Sequence, residues 1–571
     1  MPDSPYTKLS REAIAEMEIG ATSITRSMSV ALVAAFLLTI ASVPVTQHVI
    51  EIRAGFAKSG GWVGPSVFKV FNYPLQAWTV LTNPANGDLI RRLNEANGVL
   101  MRGLQDYEEA LESDSFIARA ALPPAQAFTA EFLGLGNEQV DLGRERWLFY
   151  QPDTAYLTGP GFLDPSFHHG RARSGDSSAT RTIQPDPLKA IIQFRDQLKS
   201  RDIHLVIMPI PVKPMIEPEF LSSSYRAPLP IPLQNPSYRE FLKSLEKAGI
   251  DYLDVSHTLA EKKRTTGRSQ FLRTDTHWTP EAMQDAVALL AEKLRAAGLA
   301  EPAATVELNR SPEFIHGLGD IVAMLKLPAT SRLYPRETVT IHPVLRPGRK
   351  PWSADSHADV LVLGDSFFNI FSLEGMGWGA SAGFVEQLSH TLQRPIDAII
   401  RNDGGALATR EVLGQELARG RDRLNGKRLV VWEFAVRELA AGNWDFVPLK
   451  VPKRTATDFL ILESGERRAV RAIVRSAGPL PRPGTTPYKD YLTAFHLEGI
   501  EADSAGEAIV YLQTMKDQQL TPAARLRPGD RVSLLLTSWA DAESQYGGIN
   551  RGELEDENLL LEEPNFAELA P

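Results

Sequence analysis

The stretch "VLVLGDSFFNIF", residues 360–371, joins an apolar run to a short polar turn and then to bulky apolar residues. The run "VLVL" has the length and composition of a strand that is buried on both faces of a sheet. Ser366 ends the Gly-Asp-Ser turn directly after this run. Ligands of parallel α/β sheets bind beyond the carboxyl ends of the strands. The stretch therefore predicts a serine hydroxyl at the edge of the sheet where a binding site is expected.

Helical and strand patterns alternate on both sides of this stretch. Further strands are predicted at "IHLVIMPIP" from Ile203, "IDYLDV" from Ile250, "IDAII" (Ile396–Ile400) and "RLVVWEF" (Arg428–Phe434). Amphipathic helices separate them. One starts after Thr279, which is suited to cap it, with Pro280 in the first turn, and another lies near residues 411–424. The alternation predicts an α/β fold with a mainly parallel sheet flanked by helices.

The pattern changes after about Val447. Short apolar or alternating runs, among them "RAIVRS", "AIVYLQTM" and "DRVSLLLTSW", lie between turn residues. They predict a small all-β domain of the sandwich or barrel kind. The acidic end of the chain, "GELEDENLLLEEPNFAELAP", is expected to form a peripheral tail. Four aromatic residues here are suited to stacking on sugars, although most are expected in the core: Tyr488, Tyr491, Trp539 and Tyr546.

Residues 28–45, "MSVALVAAFLLTIASVPV", carry no charge. A run of about 18 residues is just long enough to cross a hydrocarbon core about 30 Å thick. Basic residues precede it, which favours an N-terminus in the cytoplasm. A cleaved signal peptide and a buried core helix are the alternatives, but the leader is long and no small-x-small cleavage site is evident. We interpret the run as an uncleaved anchor, with the remaining chain outside the cytoplasm.

These patterns divide the chain into successive parts. The predicted parts are a cytoplasmic tail (1–27), a transmembrane signal anchor (28–46), a helical spacer (47–140), an α/β catalytic domain (141–446) and a β-rich domain with an acidic tail (447–571).

Composition excludes several classes of protein. The chain of 571 residues has a net charge of −9 and no cysteine, which rules out disulfides, cysteine-ligated zinc and thiol nucleophiles. Its basic residues are scattered, unlike those of a nucleic-acid-binding protein. It has no glycine-rich nucleotide loop, so no nucleotide cofactor is expected.

A second motif, "FLRTDTHWTP" (residues 271–280), supplies what a serine nucleophile needs. A serine hydroxyl requires a base within hydrogen-bond reach and an acid that orients this base. His277 and Asp275 are the candidates, with Ser366 as the nucleophile. The backbone N–H groups of Ser366 and Gly364 are candidate oxyanion donors. A metal site is the alternative, in which Asp275 and His277 would need a third ligand such as His257; no metal is expected.

The two motifs together resemble the SGNH-hydrolase-like domain of the alginate O-acetyltransferase family, AlgJ and AlgX. The resemblance covers about residues 140 to 445. Besides "TDTHW" and "VLVLGDSFF", it is carried by "RERWLFY" (Arg144–Tyr150), "VIMPIPVKPMIEPE" (Val206–Glu219) and "VVWEFAVREL" (Val430–Leu439). Ordinary SGNH esterases place their serine first and their Asp-x-x-His last, so the order here is permuted.

The resemblance implies roles for individual residues. Ser366 would accept the acetyl group, with His277 as general base and Asp275 as its orienter. Asn402, in "RNDGGA", would help to bind the oxyanion, and Arg401 and Trp278 are further substrate candidates. Lys213 and Arg437 also match the family pattern without an assigned role, and a structural salt bridge is expected for Arg437.

The implied activity is O-acetylation of an exported polysaccharide through an acyl-serine, at the periplasmic side of the inner membrane. The acetyl donor would be a multi-pass membrane acyltransferase. AlgX carries a C-terminal carbohydrate-binding module, so glycan binding is one function considered for the C-terminal domain, whose role the sequence leaves open. Two alternatives remain: an acetylesterase with the same triad, and a non-catalytic polysaccharide-binding scaffold.

Overall fold

The computed structural model of the chain describes residues 25–59, 70–82, 89–173, 183–226, 229, 231–299, 306–451, 459–481, 483, 488–500, 506–554, 556 and 558–570. The predicted cytoplasmic tail, residues 1–27, lies almost wholly outside these residues. The chain divides into two compact units at Leu122 and Pro123.

The first unit is helical. Its helices are α1 (Arg26–Ser59), α2 (Asn72–Thr82), α3 (Leu89–Asp114) and the start of α4 (Phe116–Phe128). An 18-residue stretch within residues 26–53 of α1 has a mean hydropathy of 2.3, and α1 is the one helix of the described chain that is long and apolar enough to span a membrane. Helices α2 and α3 pack together where the ring of Tyr73 lies against Gly103.

The second unit begins with the α/β elements. In chain order these are β1 (Val140–Leu142), β2 (Leu148–Tyr150), α5 (Gln151–Thr158), α6 (Pro165–Arg173), α7 (Pro187–Lys199), β3 (His204–Ile210), α8 (Lys213–Ile216), α9 (Pro218–Leu221), α10 (Tyr238–Lys247), β4 (Asp251–Tyr252), α11 (Ser256–Thr266), α12 (Pro280–Ala296), β5 (Asn309–Arg310), β6 (Glu313–Gly317), α13 (Asp320–Met324), β7 (Glu337–Ile341), β8 (Val344–Arg346), β9 (Lys350–Pro351), β10 (Val360–Gly364), α14 (Ser366–Asn369), α15 (Phe384–Leu392), β11 (Asp397–Ile400), α16 (Gly405–Ala418), β12 (Leu429–Ala435) and α17 (Glu438–Ala441).

A five-stranded parallel sheet organises these elements, in the order β11-β10-β12-β3-β4. All residues of β10 and β12 are buried, as expected for central strands covered on both faces. The α/β prediction is therefore confirmed. The helix expected near residues 411–424 lies earlier, as α16, because Gly404 and Gly405 adopt positive φ angles and start it immediately after β11.

The parallel sheet explains where the polar turn lies. Strand β10 runs in register with β11, and Gly364 is opposite Ile400. Ser366 therefore follows β10 at the edge where the "RNDGGA" segment follows β11. Loops after neighbouring parallel strands meet at one edge of the sheet, so two segments far apart in sequence line the same region.

The C-terminal part is a β domain built on an antiparallel framework. Its elements are β13 (Arg467–Ala477), β14 (Tyr491–Glu498), β15 (Glu507–Lys516), β16 (Gln519–Leu520), β17 (Arg531–Ser538), α18 (Trp539–Tyr546), β18 (Asn550–Gly552) and β19 (Pro564–Leu569). Strands β14, β15, β19, β17 and β13 pair in sequence, and β13 pairs again with β14. Five strands thus close into a ring.

The acidic end of the chain is not wholly peripheral, which corrects the expectation. Strand β19 lies between β15, to which it is parallel, and β17, to which it is antiparallel. Phe566 and Ala567 are buried in the β domain. The acidic residues that precede β19 dominate the local composition and conceal a short strand.

We predict that a chain ending at Glu563, which lacks β19, unfolds at a lower temperature than the full chain. The truncation leaves β15 and β17 with unpaired edges, which are costly and prone to aggregation. Thermal unfolding followed by circular dichroism measures the difference. A chain ending at Ala570 is the control, and equal unfolding temperatures for all three proteins would contradict the central place of β19.

Candidate active site

The "FLRTDTHW" segment forms a tight loop ahead of helix α12. Phe271 and Trp278 form an isolated antiparallel bridge, and the N–H of Leu272 donates to the carbonyl of His277 at 3.0 Å. Thr279 then caps α12, because its hydroxyl accepts the N–H of Ala282 at 3.2 Å. The loop is closed at its base and followed by a rigid helix, so the side chains at its tip have fixed directions.

Ser366 is the first residue of α14, directly after β10. The carboxylate of Asp365 caps this helix by accepting the N–H of Phe367 at 2.8 Å. Its other oxygen accepts the N–H of Ala435, at the end of β12, at 3.0 Å. The Asp of Gly-Asp-Ser therefore ties the serine turn to the neighbouring strand and sets the position of the serine.

The structure brings Asp275, His277 and Ser366 into one hydrogen-bonded chain. Nε2 of His277 lies 2.8 Å from Oγ of Ser366, and Nδ1 of His277 lies 2.6 Å from Oδ1 of Asp275. Both distances are within the range required for a nucleophile, a base and an orienting acid. With Nδ1–H donating to Asp275, Nε2 is left free to accept the proton of the serine.

The carboxylate of Asp275 is buried but saturated with donors. It accepts the backbone N–H of His277 at 3.1 Å, the N–H of Asp320 at 3.0 Å and the indole N–H of Trp378 at 2.8 Å, in addition to Nδ1 of His277. Burial raises the pKa of Asp275, but these hydrogen bonds and the nearby imidazole outweigh it and lower the pKa to about 2. Asp275 is therefore ionised throughout the physiological range.

The pKa of His277 shifts in the opposite direction to that of Asp275, because it is raised. Burial lowers its pKa, but the hydrogen bond and charge of Asp275, together with the charge of Asp320, raise it above the ordinary value of 6.5. A raised pKa means that the imidazolium formed when the base takes a proton is stabilised. This electrostatic arrangement suits general-base catalysis.

A cavity of about 300 Å³ opens in front of the serine hydroxyl. Its walls come from the loop of residues 271–278, here called the catalytic loop, from α13, from the turn before α16 and from the β domain. The lining residues are Gln139, Tyr150, Thr276, His277, Asp320, Met324, Asp365, Ser366, Asn402, Asp403, Gly404, Gly405, Arg437, Glu438 and Tyr488. Most are polar or charged, so the cavity suits a hydroxyl-rich ligand better than an apolar one.

Three of the other candidate residues do not line this cavity. Gly364 ends β10, and a Cβ there would contact Glu433 and Phe368. Trp278 is fully buried, and its indole N–H donates to the carbonyl of Phe367 at 3.0 Å. The guanidinium of Arg401 turns to Asp403 at 3.0 Å. Trp278 and Arg401 therefore pack next to residues of the site and do not line the cavity in which a substrate would bind.

Asn402 does line the cavity, but its amide group already has partners. The amide NH2 donates to the carbonyl of Gly548 at 3.3 Å, and the amide oxygen accepts from Asn369 at 3.0 Å. The hydroxyl of Tyr488 donates to the backbone carbonyl of Asn402 at 2.6 Å. In this arrangement Asn402 joins the α/β domain to the β domain.

Sequence reasoning missed three side chains of the site. Asp320 lines the cavity, Trp378 donates to Asp275, and Glu433 accepts the N–H of Asp365 at 2.8 Å. Burial and the neighbouring Asp365 raise the pKa of Glu433 well above its ordinary value. Glu433 was detectable as the lone acid in the apolar strand "LVVWEFA", whereas the other two lie in segments without a distinguishing pattern.

Arg437 and Lys213 are now placed. Arg437 lines the cavity, pairs with buried Asp153 at 3.1 Å and lies 5.5 Å from the ring centre of Tyr150. It thus forms the expected salt bridge and also faces the site. Lys213 is buried and donates to the carbonyl of Leu148 at 2.7 Å, and burial lowers its pKa to about 8.

Potential metal ligands gather at Asp275, His277 and Asp320, whose donor atoms lie within 4.8 Å of one another. His257, the third ligand considered from the sequence, is exposed on α11 and lies outside this cluster. The cluster fits a metal poorly. The 2.6 Å contact between Nδ1 of His277 and Asp275 is a hydrogen bond, and both carboxylates accept N–H donors. These oxygens already have the partners that a cation would replace.

Of the four aromatic residues considered for sugar binding, Tyr488 lines the cavity. Trp539 is buried against Tyr511, and Tyr546 stacks on Phe566 with ring centres 4.1 Å apart. Trp539 belongs to the core of the β domain, whereas Tyr546 is half-buried against that core and, like Tyr488, lines a second cavity of about 300 Å³. Tyr491 is half-buried at the start of β14.

Comparison with known proteins places the chain in a family. A family model described as "SGNH hydrolase-like domain, acetyltransferase AlgX" matches residues 140–436. The chain is similar to "Probable alginate O-acetylase AlgJ" of Pseudomonas aeruginosa, with 26% identity over 313 residues, which are 53% of this chain and 71% of the relative. The protein of the same name from Pseudomonas putida is 23% identical over 61% of this chain and 81% of the relative.

Among solved structures, AlgX of Pseudomonas aeruginosa aligns with 72% of this chain and 95% of its own, at 17% identity and a TM-score of 0.39. The family model covers just over half of the 571 residues, from the strand before the "RERWLFY" segment to the end of the central sheet. The chain therefore belongs to the SGNH hydrolase-like acetyltransferase family of AlgX.

Proposed function

We propose that this protein is an O-acetyltransferase that moves an acetyl group through an acyl-serine onto hydroxyls of an exported polysaccharide. The observation that carries the proposal is the hydrogen-bonded chain from Asp275 through His277 to Ser366, which ends at a polar cavity. Together these groups supply a nucleophile, a base and room for a hydroxyl-bearing acceptor.

The reaction proceeds in two balanced halves. Oγ of Ser366 attacks the carbonyl carbon of an acetyl donor while Nε2 of His277 takes the hydroxyl proton, and that proton then passes to the leaving group of the donor. A sugar hydroxyl next attacks the acetyl-serine and gives its proton to His277. The proton returns to Oγ when the C–O bond to the serine breaks. Asp275 stays ionised and stabilises each imidazolium.

The negative charge on the tetrahedral intermediate needs hydrogen-bond donors. The N–H of Ser366 lies at the start of α14, and the turn of Gly404 and Gly405 starts α16 at the wall of the cavity. Backbone N–H groups at helix N-termini are suitable oxyanion donors. We assign this role to these groups in preference to Gly364, which does not line the cavity, and to the amide of Asn402, which is already engaged.

Two observations support the choice of acceptor: the relatives named "Probable alginate O-acetylase AlgJ" and the polar walls of the cavity. We infer that the acceptor is an alginate-like or other exopolysaccharide in the periplasm. Helix α1 would anchor the chain in the inner membrane by a single span. The acetyl donor would then be presented by a multi-pass membrane acyltransferase, since the activated acetyl groups of metabolism are cytosolic.

We predict that Ser366→Ala abolishes acetyl-ester cleavage and acetyl transfer, with a loss of about a thousandfold or more in kcat/KM, because the group that carries the acetyl is gone. The full-length protein is assayed with a chromogenic acetyl ester, alone and with an oligosaccharide acceptor, and the products are analysed by mass spectrometry. Ser372→Ala is the control, since Ser372 pairs with Glu386 away from the cavity.

The same assay separates the alternatives. Acetylated oligosaccharide supports a transferase, whereas release of acetate alone, with the acceptor present, supports an esterase. Activity that survives unchanged in Ser366→Ala would contradict Ser366 as the nucleophile, and a wild-type protein that yields neither product would favour a scaffold.

The pH dependence provides a separate prediction. His277 acts in its neutral form and its pKa is raised, so kcat/KM is expected to fall as the pH drops through a value above 6.5, the pKa of an ordinary imidazole. This fall is the acid limb of the pH–rate profile. Asp275, with a pKa of about 2, is ionised throughout this range and adds no limb of its own. Initial rates between pH 5 and 9 with the acetyl ester measure the limb, and a profile that stays flat from pH 8 to 6 would contradict His277 as the base.

A further inference from the structure

A second carboxylate contacts the catalytic loop from a separate segment. Oδ1 of Asp320 accepts the backbone N–H of Thr276 at 2.8 Å, and its Oδ2 accepts the Thr276 hydroxyl. The N–H of Asp320 donates to Asp275 at 3.0 Å. Asp320 thus holds two consecutive residues of the loop, Thr276 through its side chain and Asp275 through its backbone.

The approach of this segment to the loop depends on Gly319. A Cβ at this position would clash with the carbonyl of Thr274 and the N–H of Asp275. The N–H of Gly319 also donates to the hydroxyl of Thr274 at 3.1 Å, and this hydroxyl donates to Glu337 at 3.0 Å. The φ angle of Gly319 is −70°, so close packing, and not backbone strain, demands glycine here.

Asp320 differs from Asp275 in one respect that matters for chemistry. Asp275 lies behind the imidazole, whereas Asp320 lines the cavity together with His277 and Ser366. Its Oδ2 lies 3.9 Å from Nδ1 of His277. At this distance a carboxylate in a partly desolvated site interacts appreciably with an imidazolium.

We propose that Asp320 is an acidic positioning residue that holds the Asp275–His277 loop and stabilises, through its charge, the imidazolium of His277 that forms in both halves of the reaction. It acts through His277 and does not replace Asp275 as the hydrogen-bonded partner of Nδ1. The inference rests on the proposed function, since the imidazolium forms only if His277 takes a proton.

The groups that face Asp320 shift its pKa in opposite directions. Burial and the negative charge of Asp275 raise the pKa of Asp320 to about 6, and His277 and the Thr276 hydrogen bonds lower it. Lys213, Tyr150 and Tyr488 interact with it electrostatically, and Arg437 lines the same cavity. Asp320 is therefore a carboxylate at the neutral and alkaline pH where His277 works as a base.

The test is the pH profile of Asp320→Asn in the full-length protein, measured with a chromogenic acetyl ester. Asparagine keeps the size of the side chain and an oxygen that can accept the Thr276 N–H, but it removes the charge. The acid limb of kcat/KM is expected to move to lower pH by roughly one unit, the size typical of a neighbouring charge at about 4–6 Å. A purely structural role would lower activity without moving the limb.

Two further variants complete the design. Asp285→Asn removes a carboxylate that pairs with Lys262 on the surface of α12, and its limb is expected to coincide with that of the wild type. Thr276→Val removes the hydroxyl donor, which favours protonation of Asp320, so a smaller shift in the same direction is expected. This second variant keeps the inference testable if Asp320→Asn does not fold.

The outcomes separate the two proposals. A limb that does not move in a folded, active Asp320→Asn protein overturns the role of Asp320 and leaves the acyl-serine mechanism intact. If the asparagine variant does not fold, an unmoved limb in Thr276→Val overturns it. An inactive wild-type protein, or activity that survives Ser366→Ala, overturns the proposed function itself.

Discussion

The site depends on the ionised carboxylate of Asp275 in the interior of the protein. An isolated buried carboxylate is costly, and it persists only when hydrogen bonds and an opposite charge compensate the lost hydration. Its donors come from the catalytic loop, from Asp320 and from Trp378. Three segments that are distant in sequence therefore have to pack correctly before His277 has a fixed tautomer and a raised pKa.

Much of the fold was predictable because its signals are local. The apolar run before Ser366 forms the buried strand β10, and Thr279 and Pro280 start α12. Since parallel strands deliver their following loops to one edge, a serine after β10 could be expected near other functional loops. The contact between Asp275 and His277 was also accessible, because the two residues are separated by one position in a short loop.

The contacts that could not be predicted are made between segments that are far apart in the sequence. Asp320 and Trp378 reach Asp275 from segments whose sequences carry no periodic or motif signal. The sequence places Trp278 next to His277, but neighbouring side chains of a loop point in different directions, and the indole enters the core against Phe367. The short strand β19 was concealed in the same way, because its partners β15 and β17 are distant in sequence and acidic residues precede it.

The order of the motifs along the chain has little importance for the chemistry. The imidazole comes from the loop before α12 and the serine from the turn after β10, and only their meeting at the edge of the sheet matters. The β domain extends the same argument. Tyr488 lies far beyond the α/β domain in sequence, yet its hydroxyl donates to the carbonyl of Asn402 and its side chain closes one wall of the cavity. The shape of the space in front of Ser366 is therefore a joint property of both domains.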